Sequence, residues 1–215
     1  MKSATSGRAS ARPRARRLLP AARKAQLLAC ALQVFARRGI GAARHAEVAA
    51  DADVAVATVF VYFPTRDDLV GAVLGEVQRL YVELAERIHA SERPAPELLL
   101  AHAAAFASSV DAHPQHARVW LDWSSAVGVD DLWPRYRLME ERVISTIAQT
   151  LTRGQREGTI LREIRAEDGA RIAVGAAYMI AQMKLSRRPD ADVSRFVDAL
   201  VRVIAGGLAA DGGAA

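Results

Sequence analysis

Catalysis at a side chain needs a nucleophile, a converging acid and base, or a metal cage. The sequence holds five histidines, His45, His89, His102, His113 and His116, and one cysteine, Cys30. His113-Pro114-Gln115-His116 has the spacing of a metal-binding pair, but no cysteine or third ligand accompanies it. Pro114 makes that stretch the entry of a helix, and no metal is expected. Cys30 stands among apolar residues with no base in sight, the pattern of a buried inert thiol, and a single cysteine excludes an intramolecular disulfide. No glycine-rich loop follows a strand to cradle phosphate, and no serine sits in a nucleophile elbow. The chain is therefore expected to be no enzyme and to carry no cofactor.

What the sequence offers instead is charge. Residues 1–46 hold eleven Lys or Arg and no acid, and the remaining 169 residues hold 18 bases against 24 acids. A cationic end on a mildly anionic chain seeks a polyanion, nucleic acid first and an acidic membrane second. Residues 1–20 are mostly Ser, Ala, Arg and Pro, cannot form a core, and read as a flexible basic arm. Their arginine-rich, acid-free composition is also that of a transit peptide, although no apolar signal region is present. A solvated tail would explain those residues, but not Arg37, Arg38 and Arg44, which fall inside the ordered pattern. No apolar run approaches the ~18 residues a membrane span needs, so no membrane partner is expected.

The elements that must position these charges are helical. Half the residues are apolar, alanine is abundant, and Gly and Pro are sparse, which favours an all-α fold. From Ala21, Leu28, Ala31, Leu32 and Phe35 share a face with Leu27 and Val34 beside it, and Gly39 supplies the stop. A short helix is predicted at 45–52. After Pro64, Thr65 caps a helix running to about Arg87, and Asp67 and Asp68 suit its positive start. Further helices are predicted at 96–111, 115–127, 134–157, 167–187 and 191–208. The organisation read from this is an arm (1–20), a helix-turn-helix unit (21–66), a larger helical body (67–208) and a frayed tail (209–215).

The segment 56–63, "VATVFVYF", is strand-like by propensity, yet nothing elsewhere in the chain could pair with it as a strand. As the third of three short helices it would lie in a DNA major groove. Val59 and Phe63, four residues apart, can face inward against Phe35, Val48 and Ala49. Ala55, Ala57, Thr58, Val61 and Tyr62 are left outside. Small apolar groups there can meet thymine methyls, and the two hydroxyls can bond phosphate.

Within residues 21–75, "VFARRGIG", "HAEVA" and "VATVF-YFPTRDDLV" resemble the DNA-binding region of the TetR family of transcriptional regulators. They are similar in particular to the vibrio quorum-sensing master regulators of the HapR/LuxR type. The arm "RPRARRLLP" and the stretch "VWLDWSSAVGVDDLWP" fit that subgroup as well. The resemblance implies a cytoplasmic homodimer that binds double-stranded DNA. Most of the family repress, and the subgroup also activates. Where the subgroup has Ser and Asn in the recognition segment, this chain has Ala55 and Val61. It should therefore read a different operator, or read more through methyl contact and DNA shape. Thr58, Tyr62, Thr65 and Arg66 match, and Arg12 and Arg14 match the basic arm that enters the minor groove. Arg44, His45 and Ala57 complete the expected DNA-binding set.

Trp120, Trp123 and Trp133 cluster in the middle of the chain, and suit either plain core filling or the wall of a small-molecule cavity. The resemblance implies such a cavity, with Tyr136, Glu140, Ala177 and Tyr178 as further candidates. It also implies a dimer interface on the last two helices. Ile172, Met179 and Met183 on one, and Phe196, Leu200 and Ile204 on the other, are the candidates there. The expectation is a dimeric TetR-type regulator under ligand control. The rival is a ligand-binding sensor whose DNA head has lapsed, as Ala55 and Val61 would suggest.

Overall fold

The computed structural model describes residues 19–129 and 131–205. Among them are nine α-helices and no strand, the all-α fold that the apolar periodicity predicts. Helix α1 (Pro20–Arg38) opens on a proline, whose missing N–H would have no intrahelical partner in the first turn. It stops at Gly39, whose φ of 80° suits a residue without a Cβ. Leu27, Ala31, Leu32, Val34 and Phe35 are buried, and Leu28 is only half-buried at the edge of the stripe.

Helix α2 (His45–Asp51) and helix α3 (Val56–Tyr62) follow. The turn between them passes through Asp53 at φ 51°, a left-handed conformation that Asp tolerates because its short carboxylate can bond nearby backbone. Helix α4 (Arg66–His89) begins with a reciprocal cap. The Asp68 amide donates to Thr65 Oγ1 at 3.1 Å, and the Thr65 amide donates to Asp68 Oδ2 at 2.9 Å. The Thr65 hydroxyl, which donates to Asp68 Oδ2 at 2.7 Å, and then the Thr65 amide hold the Asp68 carboxyl below its usual pKa.

The body comprises α5 (Ala95–Ala112), α6 (Pro114–Ser124), α7 (Trp133–Glu157), α8 (Ala166–Leu185) and α9 (Asp190–Ala205). Helix α6 ends earlier than its composition suggests. Ser124 and Ser125 donate their hydroxyls to the carbonyls of Leu121 and Asp122, a local bonding pattern that competes with further helix.

Two apolar clusters hold the molecule. The larger runs from Leu27, Phe35, Val48, Val59 and Phe63 through Val77 and Phe106 to Trp123 and Ile180, so α1–α3 share a core with the body. The smaller joins Leu99, Ile147, Leu151, Ile160, Val201 and Ile204. On α8 the apolar stripe is wider than the core needs. Ala176 and Ile180 are buried, while Ile172 and Met179 at its other edge are 46% and 49% exposed.

Candidate nucleic-acid interface and ligand cavity

Helix α3 has only seven residues, too few to stand on backbone hydrogen bonding alone. Val59 and Phe63 are its inward anchors, 0% and 2% exposed. His45 supplies the third support. Its Nε2–H donates to the Phe63 carbonyl at 2.9 Å, and so satisfies a group at the helix end that has no intrahelical donor. The ring also stacks on Phe60, with centroids 4.3 Å apart and planes 6° from parallel. His45, expected among the DNA contacts, is thus placed inside, behind α3. A histidine at the head of a short helix gives no sign in the sequence of which way it turns.

The outward face of α3 is apolar. Ala55, Val56, Ala57, Phe60 and Val61 are exposed, Val61 at 76%, while Thr58 and Tyr62 flank the stripe half-buried. Phe60 and Val56 also stand outward, which the sequence pattern of so short a helix does not reveal.

The cations around this face divide into two groups. Arg37 makes a two-pronged contact with Asp51, with both guanidinium nitrogens 3.0 Å from Oδ2, and Arg38 bonds Glu47 at 2.7 Å. Both arginines therefore brace α1 against α2, and their presence inside the ordered pattern is explained without a polyanion. Arg44 and Arg66 are exposed and pair with no carboxylate among the described residues. Arg44 bonds the carbonyls of Gly41 and Ala43, and Arg66 those of Ile40 and Gly41, so each charge is anchored while its sign stays unneutralised. The Thr65 amide and hydroxyl are both taken up by Asp68 in the cap. Arg12 and Arg14 lie outside the described residues.

The turn after α1 is also where the head meets the body. The Ile40 amide donates to Asp122 Oδ2 at 2.6 Å, across 82 residues of sequence. Two positions earlier on the same helix, Trp120 faces a cavity in the body.

That cavity, of about 60 Å³, takes its walls from both apolar clusters. Trp120, Tyr136, Glu140 and Ala177 line it. The other candidates stand behind. Trp123 is buried with its indole N–H on the Leu132 carbonyl at 2.9 Å, Trp133 stacks on Tyr136, and Tyr178 stacks on Trp120 at 4.4 Å. Leu200 and Ile204, expected at a dimer interface, line the cavity. Met183 and Phe196 pack half-buried against the core, which leaves Ile172 and Met179 as the exposed members of that set.

Polar groups in the wall are few. Tyr136 donates its hydroxyl to Glu140 Oε1 at 3.1 Å, and burial raises the Glu140 pKa. His102 lines the cavity, and its Nδ1 lies 2.9 Å from His89 Nε2, whose Nδ1 in turn lies 2.8 Å from Thr150 Oγ1. Burial pushes both imidazoles down, His102 to about 3 with help from His89, and His89 to about 4 with help from Arg153. The Tyr81 hydroxyl is buried with no protein partner among the described residues, and burial raises its pKa. Tyr81, His102 and His89 escaped the sequence reading, and only the placing of two histidines on largely apolar helices could have marked them. His113 and His116 pack edge to face at 5.2 Å, with His116 Nε2 3.9 Å from Glu76.

A three-helix head whose last helix turns an apolar face outward, on a helical body with a small internal cavity, defines a helix-turn-helix regulator class. The model of the family "bacterial regulatory proteins, tetR family" matches residues 27–73. The HTH-type transcriptional regulator LuxR of Vibrio harveyi is 34% identical over 198 residues, which are 90% of this chain and 93% of that relative. The chain belongs to the TetR family of transcriptional regulators. Among solved structures, a TetR-family regulator from Agrobacterium tumefaciens superposes with a TM-score of 0.76 at 15% identity, covering 87% of this chain and all of that one. The regulator FadR of Bacillus subtilis, solved in complex with stearoyl-CoA, gives 0.72 at 17% identity, covering 86% of this chain and 98% of that one. At such identities the likeness shows the fold. No helix among the described residues is long and apolar enough to cross a membrane.

Proposed function

We propose that this regulator binds a near-palindromic DNA operator as a homodimer, with α3 in the major groove, and that a small molecule in the body cavity modulates the binding. The observation that carries the reading is the outward face of α3. An exposed apolar stripe, with Val61 at 76%, sits on a helix whose other side is anchored by Val59, Phe63 and His45. Ala57 and Val61 suit thymine methyls, Thr58 and Tyr62 suit phosphate oxygens, and Arg44 and Arg66 add cations beside them. The arm, with Arg12 and Arg14, would enter the flanking minor groove. The exposed Ile172 and Met179 edge of α8 supports a symmetric dimer, which would set two α3 helices roughly 34–36 Å apart, one turn of DNA. A cytoplasmic location follows from that role. The link from cavity to head runs along α6, where Trp120 touches the cavity and Asp122 holds Ile40. A ligand that favours one spacing of the two heads would shift operator affinity by ~1–3 kcal/mol.

Selection of bound sequences from a random duplex library tests this reading, with the Arg12→Ala, Arg14→Ala double variant alongside. Enrichment of a near-palindrome is expected, and the salt slope of the double variant should fall by roughly 3.6, near 0.9 for each of the four arginines lost from the two arms of a homodimer. No enrichment, together with a shallow salt slope for the wild type, would leave a ligand-binding sensor whose DNA head has lapsed.

A further inference from the structure

The polar groups in the cavity wall define what the cavity can hold. Thr150 is buried, and the acceptor that its hydroxyl meets among the described residues is His89 Nδ1. If Nδ1 carried the proton, the Thr150 O–H would be left without a protein acceptor among the described residues, which is costly for a hydroxyl on a residue only 4% exposed. Thr150 therefore donates to His89. A neutral imidazole carries one N–H, so the His89 proton is on Nε2 and is donated to His102 Nδ1. The His102 proton is then on Nε2, which makes no bond to any described residue. The chain Thr150–His89–His102 thus runs from a surface cleft at Thr150 and His89 and ends as an N–H donor on a residue of the cavity wall. Tyr81 lines the same cavity and carries a buried hydroxyl without a partner among the described residues, a second neutral donor.

Among the described residues, no Lys or Arg lines the cavity. The remaining polar pair, Tyr136 and Glu140, is closed on itself. The other wall residues are aliphatic or aromatic, apart from the indole N–H of Trp120. An anionic ligand would meet no cation there and would sit near the Glu140 carboxyl. A cationic ligand could pair with the Glu140 carboxyl but would meet the Tyr81 and His102 donors where it needs acceptors. We infer that the cavity takes an uncharged, mainly apolar molecule carrying a hydrogen-bond-accepting oxygen, bound by the Tyr81 hydroxyl and His102 Nε2–H. This deepens the proposed ligand control and rests on it for regulatory meaning, but the binding itself is independent of DNA. The volume of about 60 Å³ sets the scale. It lies below the ~300 Å³ of ordinary drug-sized sites, which favours a short-chain molecule over a long acyl chain.

The test is calorimetric titration of the full-length protein, without DNA, with four probes of similar length: 2-hexanone, n-hexane, hexanoate and hexylammonium. The ketone is expected to bind tighter than the other three. Tyr81→Phe should weaken the ketone about tenfold and leave hexane unchanged, since one hydrogen bond is lost and the apolar wall is kept. This variant also removes a buried unpartnered hydroxyl, so its thermal stability should stay the same or rise, which separates the binding effect from misfolding. A ring ¹⁵N spectrum should show the His102 Nε2 proton shifting when ketone is added. The assignment is overturned if either charged probe binds tighter than the ketone, if Tyr81→Phe binds ketone as well as wild type, or if none of the four binds. Ketone binding with no change in operator affinity would instead keep the ligand class and defeat the regulatory reading.

Discussion

Val59 and Val61 stand two residues apart on α3, one with no exposed surface and the other 76% exposed. The same substitution at each position tests which side of the helix does which work. Val59→Ala removes two buried methyl groups, about 1.6 kcal/mol at ~0.8 each, and the cavity left behind adds about 1. The better helix propensity of alanine returns roughly 0.5, so the net loss is about 2 kcal/mol. For a chain of this size, each kcal/mol lowers Tm by about 2–4 °C, which makes the expected fall about 4–8 °C. Val61→Ala should leave stability within about 0.5 kcal/mol. In return it should weaken methyl packing on base edges, about 1 kcal/mol or fivefold in affinity for each half-site. Differential scanning calorimetry at one fixed protein concentration reads the first effect, because the Tm of any self-associating protein moves with concentration. Fluorescence anisotropy on the selected operator, at several salt concentrations, reads the second. If Val61→Ala melts the protein as Val59→Ala does, or leaves operator affinity untouched, the assignment of inner and outer faces is wrong.

Two further perturbations probe the body and its tie to the head. Asp122→Ala removes the acceptor of the Ile40 amide, and since Asp122 is itself exposed the cost should be about 1 kcal/mol. Hydrogen exchange at the Ile40 amide should accelerate, the effect of cavity ligands on DNA affinity should shrink, and unchanged exchange would remove the latch. Acid should destabilise the protein through His102. Its folded pKa of about 3 lies below the ~6.5 of an unfolded histidine, so the unfolded state takes up the proton first. The stability is full above pH 6.5 and is lost as pH falls toward 3, by about 2 kcal/mol at pH 5 from this residue. Urea midpoints measured from pH 7 to 5 should therefore fall less steeply in His102→Phe than in wild type, and parallel slopes would refute the neutral buried imidazole.

Much of the fold was legible because it depends on one-dimensional signals. The Thr65 cap, the Gly39 stop and the prolines at the starts of α1, α5, α6 and α7 act on their own turn of chain, and sequence carries that information directly. The inward turn of Val59 and Phe63 was legible for the same reason, since a spacing of four fixes a face. The charged residues were less so. Arg37 and Arg38 look like DNA contacts when only composition is counted, but their carboxylate partners lie on the next helix and appear once α1 and α2 are packed. The inward place of His45 is not legible in the sequence, because its partner, the Phe63 carbonyl, is backbone and carries no residue type to recognise.

The last two helices show a different limit. Their apolar stripes are broad enough to serve two surfaces, and a period of 3.6 residues cannot say which edge meets the protein's own core. The structure divides α8 between a buried edge at Ala176 and Ile180 and an exposed edge at Ile172 and Met179. On α9 it turns Leu200, Val201 and Ile204 to the cavity. Val203, on the same helix, is 43% exposed. One helix is therefore both a cavity wall and a candidate docking face. A ligand too large for the cavity has to move that wall. Any displacement of α9 would be felt at a partner packed on its outer side, and the spacing of two α3 helices would change with it. A partner packed on that outer side would therefore feel cavity occupancy through the thickness of a single helix, in addition to the proposed route through Trp120 and Asp122.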